Sequence, residues 1–124
     1  MAGIQWRNDI PIYRQLRDRV AEMILEGVLG EDDPLPSVRE VAAEHRVNPL
    51  TVLKGYQLLV DERIVESRRG RGMFVMSGAR EQLLKLQRKS FLSEEWPELC
   101  AKVERLGLNW DELLSRVPNN RKKT

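Results

Sequence analysis

The chain has 124 residues, enough for one ordinary domain or for a small domain with a helical appendage. Its 41% hydrophobic and 32% charged residues describe a globular chain, and no apolar run approaches the roughly 20 residues of a membrane span, so no membrane role is expected and the cytoplasm is the expected compartment. A formal net charge of +2 does not by itself argue for nucleic acid: residues 1–78 hold 11 Lys/Arg against 12 Asp/Glu, a net of −1, and residues 79–124 hold 10 against 7, a net of +3. Met1–Asn8 lacks the charged start and apolar stretch of a signal peptide. A lone Cys100 builds no disulfide framework, and His45 with Cys100 assembles no metal site, so no metal or cofactor is expected.

The first periodic segment follows Pro11. Tyr13, Leu16, Val20, Met23 and Ile24 recur at helical spacing, which predicts a helix over about 11–26, with Gly27 as its stop. Residues 30–36, GEDDPLP, read as a loop with two prolines and three acids. Ser37 and Glu40 have capping-box spacing and open a short helix over about 37–45, with Val38, Val41 and Ala42 as its buried stripe. Asn48 followed by Pro49 is a second strong helix start, and the helix it opens runs to about 62. Val52, Tyr56, Leu59 and Val60 fall on one face of it, leaving Leu50, Thr51, Lys54, Gln57 and Asp61 on the other. Arg46 and Val47 alone connect the two helices, the tight join of a helix-turn-helix.

Ile64–Ser67 and Met73–Met76 flank Arg68-Arg69-Gly70-Arg71-Gly72, which predicts a two-stranded hairpin with a basic, glycine-containing tip. The pattern is helical again from Gly78, with an interruption expected at Phe91-Leu92-Ser93, where Ser93 reads as a cap and Pro97 fits near a helix start. Leu92, Trp96, Leu99, Val103 and Leu106 are spaced 4, 3, 4, 3, a seam suited to a helix–helix contact. Gly107 ends that helix, and Asn109 with Glu112 opens a last one carrying Trp110, Leu113, Leu114 and Val117. A disordered end is expected from about 118. Cys100 lies among apolar helical positions and reads as a packing residue.

A recognition helix presents short polar or basic groups from its first turns to base edges, and Asn48, Pro49, Leu50, Thr51 and Lys54 occupy those turns. Ser37 and Arg39 begin the preceding helix, where a hydroxyl, a backbone N–H and a guanidinium suit one phosphate, or Arg39 a guanine. At the hairpin tip Arg69 and Arg71 can enter a groove, with Gly70 and Gly72 permitting close backbone approach.

PLPSVREVAAEHRVNPLTVLKGYQLL followed by IVESRRGRGMFV resembles the winged helix-turn-helix of the GntR family of bacterial repressors, over about residues 10–76. The short helical remainder resembles the YtrA-like branch. That resemblance implies that Arg39, Asn48, Thr51 and Arg69 to Gly72 face DNA, that the tail serves dimerisation, and that the tail has room to shape an effector cavity. Leu50 and Leu53 stand where relatives often carry polar residues, and Arg63 stands where a glycine usually ends the recognition helix. Arg63 implies either an arginine in a left-handed cap or a different helix exit.

The expected fold is mainly α with a small β-hairpin: a winged helix-turn-helix in residues 1–77 and a short helical dimerisation tail in 78–124. The expected function is sequence-specific transcriptional repression by a homodimer on a near-palindromic double-stranded DNA operator, with Leu92, Trp96, Leu99, Val103, Leu106 and Trp110 at the dimer interface and release by a small-molecule effector. The competing class is a winged-helix protein-interaction module, motivated by Leu50, Leu53 and Leu58. No nucleophile–base pair, paired acids or phosphate loop can be placed, so no enzyme is expected.

Overall fold

The computed structural model describes residues 5–118. In chain order its elements are α1 (Ile12–Leu25), α2 (Val38–His45), α3 (Pro49–Asp61), β1 (Val65–Arg68), β2 (Gly72–Val75), α4 (Ala79–Ser90), a π-helical turn (Phe91–Glu95), α5 (Trp96–Arg105) and α6 (Trp110–Ser115). The chain divides into two compact units between Lys85 and Leu86. The first reaches past the 77/78 join expected from the sequence, because Ala79 and Leu83 of α4 are buried. The expected disordered end lies, from residue 119 onward, outside the described residues.

The core of the first unit follows the apolar periodicity. α1 buries Leu16, Val20 and Ile24, α2 buries Val41 and Ala42, and α3 buries Val52, Tyr56 and Leu59. Tyr13, Met23, Val38 and Val60, also expected inward, lie at the margin and are half-buried. α1 meets α3 at Gly55, where an added Cβ would sit 2.7 Å from the Tyr13 carbonyl oxygen and 3.3 Å from the Leu16 Cβ. The helices approach this closely because Gly55 has no side chain to hold them apart. Two polar ties flank the crossing: the Tyr56 hydroxyl donates to the Pro36 carbonyl (2.7 Å), and Arg17 Nε donates to Glu62 Oε1 (2.8 Å). Pro11 is the N-cap of α1 and offers no capping side chain. Instead Gln15 turns back, accepting from the Arg7 N–H and donating to the carbonyls of Arg7 and Ile10, which fixes the chain's approach to the helix.

β1 and β2 form an antiparallel hairpin in a register running from Val65↔Val75 to Arg68↔Gly72. The acidic, proline-rich segment before α2 is more than the loop expected for it. The Asp32 and Leu35 N–H groups donate to the carbonyls of Val75 and Met73, the Val75 N–H donates to Asp33 O (each 2.9 Å), and Pro34 bridges Phe74. This segment covers an edge of the hairpin, and proline is tolerated there because the outward side of an edge needs no donor.

In the second unit, the break expected at Phe91-Leu92-Ser93 is absent, and Ser93 caps nothing. Backbone dihedrals stay helical at Ser90, Glu95 and Trp96, and the Trp96 N–H reaches back five residues to the Phe91 carbonyl. Pro97 explains the widened turn: it lacks an N–H and its ring crowds the carbonyl four residues earlier, so one longer turn accommodates it without ending the helix. Asn109 opens α6 as expected, its Oδ1 accepting from the Asp111 N–H at 2.7 Å. Trp96 packs between Phe91 and Trp110, with ring centroids 6.2 and 5.6 Å away.

Candidate nucleic-acid interface

The turn from α2 to α3 is set by Arg46, whose φ of 54° is left-handed, and by Val47; the backbone N–H groups of both donate to the Ala42 carbonyl. Asn48 then caps α3, its Oδ1 accepting from the Leu50 N–H at 2.8 Å, with Pro49 in the first turn. The cap changes what Asn48 can read. With its carboxamide oxygen on the helix end, the group that remains free is the NH2 donor, so Asn48 is poorly placed for a two-bond contact with adenine and well placed for a phosphate or a single base acceptor.

Beyond the cap, α3 turns Val52, Gly55, Tyr56 and Leu59 inward. Leu50 is 71% exposed and Leu53 42%, while Lys54, Gln57 and Asp61 are also exposed and Thr51 is half-buried. The Lys54 ammonium lies 4.2 Å from the centre of the Tyr13 ring, which holds it close to the protein surface with about 0.5–1 kcal/mol of cation–π attraction.

Ser37 forms the expected capping box: its hydroxyl accepts from the Glu40 N–H (3.0 Å) and its own N–H donates to Glu40 Oε1 (3.3 Å). The hydroxyl proton stays available to a phosphate, although the Glu40 carboxylate at the same helix end opposes the anion. Arg39 is exposed and lines a shallow cleft with Val38, Ala42, Ala43, Val47 and Pro49, which brings the start of α3 next to the guanidinium-bearing end of α2.

The wing tip is a three-residue loop, Arg69-Gly70-Arg71, closed by the Arg71 N–H donating to Arg68 O at 2.8 Å. Gly70, third in that turn, has φ 73°, a value type II turns demand and glycine supplies without strain. The three wing arginines do not act as one patch. Arg68 contacts Asp32 and Glu66, stands 4.3 Å from the Phe74 ring centre, and has its already high pKa pushed higher by the hydrogen bonds to Asp32 and Glu66. It fastens the acidic segment to the hairpin. Arg69 and Arg71 are exposed and, like Arg39, have no carboxylate partner among the described residues. The acidic run before α2 is engaged elsewhere: Glu31 Oε2 accepts from the Gly78 N–H (2.7 Å), Asp32 holds Arg68, and Asp33 Oδ2 accepts from the Gly30 N–H (2.8 Å). Sequence spacing offered no sign of these pairings.

The wing leaves α3 through Arg63. That residue has φ 63°, its N–H donates to Val60 O, and the Ile64 N–H donates to Leu59 O, the pair of bonds of a Schellman ending. Of the two alternatives left open by the sequence, the left-handed arginine is the one adopted.

In the tail, Leu92 (61%), Trp96 (39%), Leu99 (43%), Leu106 (59%) and Trp110 (43%) are exposed, and Phe91, Leu108 and Leu114 join them. Val103 differs: at 6% exposure it is packed inside its own unit and supports the seam from beneath. Cys100 is half-buried. Among the described residues no group of acids, His and Cys is placed to hold a metal, and no helix is long and apolar enough to cross a membrane.

The family model for bacterial regulatory proteins of the gntR family matches residues 12–75, the span from the start of α1 to the end of the wing. The chain belongs to the GntR family. Similarity also extends past the GntR winged helix: the HTH-type transcriptional repressor YtrA of Bacillus subtilis is 34% identical over 113 residues, covering 91% of this chain and 86% of that protein. A transcriptional regulator from Oenococcus oeni has a similar structure (TM-score 0.74, 30% identity, 94% and 93% of the two chains), as does YtrA from Sulfolobus acidocaldarius, a GntR-family transcription factor (TM-score 0.62, 32% identity, 84% and 94%). The GntR assignment therefore covers the DNA-binding winged helix-turn-helix, and the similarity to YtrA, which continues through the tail, places the chain in the YtrA-like branch of the family.

Proposed function

We propose that this chain is a sequence-specific repressor that binds a near-palindromic operator as a homodimer and is released by a small-molecule effector. Ser37, Arg39, Asn48, Pro49, Leu50, Thr51 and Lys54 face the major groove and its phosphates, and Arg69, Gly70, Arg71 and Gly72 reach an adjacent groove. The observation that carries the reading is the sorting of charge: the acids at residues 31–33 and 66 are tied to backbone or to Arg68, while Arg39, Arg69 and Arg71 have no carboxylate partner among the described residues. A net charge near zero thus coexists with local cation sites able to take phosphates. Homodimerisation is supported by the exposed Leu92, Trp96, Leu99, Leu106 and Trp110, a run of large apolar side chains that a single copy leaves in water. We assign the effector to the apolar groove of about 430 Å³ lined by Val103, Leu106, Trp110 and Leu114, which shares Leu106 and Trp110 with the proposed dimer seam, so that the effector acts at that seam.

Repression is the activity in the name of the similar Bacillus subtilis protein and is carried to this chain as part of the proposal. Arg39→Ala and Thr51→Ala test it: each is expected to weaken binding by about 5- to 150-fold per half-site, and by the square of that factor for an operator that loses the contact from both subunits, with the melting temperature unchanged. Unchanged affinity in both would remove these residues from the interface. The protein-interaction reading rests on the exposed Leu50 and Leu53, and the absence of any preferred DNA sequence would favour it.

A further inference from the structure

We infer that Leu50 is a specificity-determining residue that reads the 5-methyl group of a pyrimidine, thymine in unmodified DNA, at one position of each half-site. The inference deepens the DNA-binding proposal and rests on it.

Leu50 is the most exposed of the large hydrophobic side chains among the described residues, at 71%, yet its backbone is fixed by the Asn48 cap at 2.8 Å and by the Pro49 before it. A rigid apolar group at the second residue of a groove-directed helix can make only one favourable contact with a base edge. Leucine neither donates nor accepts, and of the four bases only thymine offers an apolar group in the major groove. A purine edge or the cytosine amino group would lay an N–H or a lone pair against leucine and strip it of water without replacement, and the bare C5–H of cytosine offers less apolar surface than the methyl. The surroundings agree with this assignment. Pro49, Ala42, Ala43 and Val47 give the adjoining cleft an apolar wall, and Arg39 at its margin supplies a donor for a neighbouring guanine or phosphate.

The same exposure is a poor fit to a protein partner. A stable protein interface takes about 800 Å² from each side around a cluster of apolar anchors. The outer face of α3 offers Leu50 and Leu53 among the exposed Lys54, Gln57 and Asp61.

The test uses the native chain and an operator recovered by selection from random DNA. Each thymine is replaced in turn by deoxyuracil, which removes the methyl and leaves base pairing intact, and binding is followed by fluorescence anisotropy. One position per half-site is expected to weaken binding about fourfold, the equilibrium factor of one buried methyl-sized group. In Leu50→Ala the same replacement is expected to have no effect, because the group that sensed the methyl is gone. Uracil replacements that cost the two proteins equally, or that cost neither anything, would overturn the assignment. If selection enriches no sequence, the DNA-binding proposal fails with it, at a step reached before any thymine is altered.

Discussion

Gly55→Ala is expected to destabilise the first unit although alanine is the better helix former. In an exposed helix the change would gain about 1 kcal/mol. Here the new Cβ would meet the Tyr13 carbonyl oxygen at 2.7 Å and the Leu16 Cβ at 3.3 Å. The oxygen is backbone and cannot swing aside, so α1 must move away from α3 or the helix must deform. Overpacking of this kind costs about 1–3 kcal/mol, and a clash with immovable backbone lies at the upper end, which leaves a net loss of roughly 2 kcal/mol after the propensity gain. For a unit of this size that corresponds to a fall in melting temperature on the order of 10 °C. Thermal and urea unfolding followed by far-ultraviolet circular dichroism measure it. An alanine variant as stable as the parent would refute the reasoning, since it would mean that α1 and α3 do not cross as closely as Gly55 allows.

Arg63→Gly is expected to stabilise by about 1 kcal/mol, because glycine relieves a left-handed arginine at the end of α3, and a urea midpoint no higher than the parent's would contradict the Schellman ending. Burial, reinforced by the Glu40 carboxylate, pushes the Tyr56 phenol above its usual value of 10.0. The folded state therefore keeps a proton that the unfolded chain loses, so this contribution is intact below about pH 10 and stability falls as pH rises above it. Tyr56→Phe should remove that alkaline dependence and lower stability at neutral pH by about 1 kcal/mol through loss of the bond to Pro36, both readable from denaturant midpoints across pH. At the wing, Arg69→Ala and Arg71→Ala are each expected to reduce the slope of log affinity against log salt by about 1.8, one phosphate contact in each of the two subunits, and Arg68→Ala to change it by less than half as much because Asp32 and Glu66 already neutralise that side chain. Equal slopes for all three variants would put Arg68 on the DNA.

What could be read from the sequence was what is decided locally. The starts of α2 and α3 follow from Ser37 with Glu40 and from Asn48 with Pro49, groups at most three residues apart whose bonds form within a single turn. The wing tip follows from Gly70, since the turn needs a residue that tolerates a positive φ. What escaped was non-local or geometric. Asp32 and Arg68 are 36 residues apart, and only the pairing of the acidic segment against the hairpin brings them together. A charge count over the whole half of the chain consequently gave no hint that the acids at 31–33 and 66 were engaged while Arg39, Arg69 and Arg71 have no carboxylate partner among the described residues. Gly55 lay unnoticed within the apolar face because its role is to be missing a side chain where another helix passes. At Phe91-Leu92-Ser93 polar and bulky residues near Pro97 suggested a break, whereas widening one turn was enough to absorb the proline. For the candidate site, the residue types were legible, but the Asn48 oxygen committed to capping, the Lys54 ammonium over Tyr13 and Val103 buried beneath the tail's seam required coordinates.

Selection of bound DNA from a random pool, at moderate salt and with the full chain, tests the central claim most directly. The expected result is enrichment of a near-palindromic sequence whose half-sites are related by a twofold axis, with two chains bound to each duplex. Retention of DNA with no sequence preference, or enrichment of a single asymmetric site bound by one chain, would contradict it.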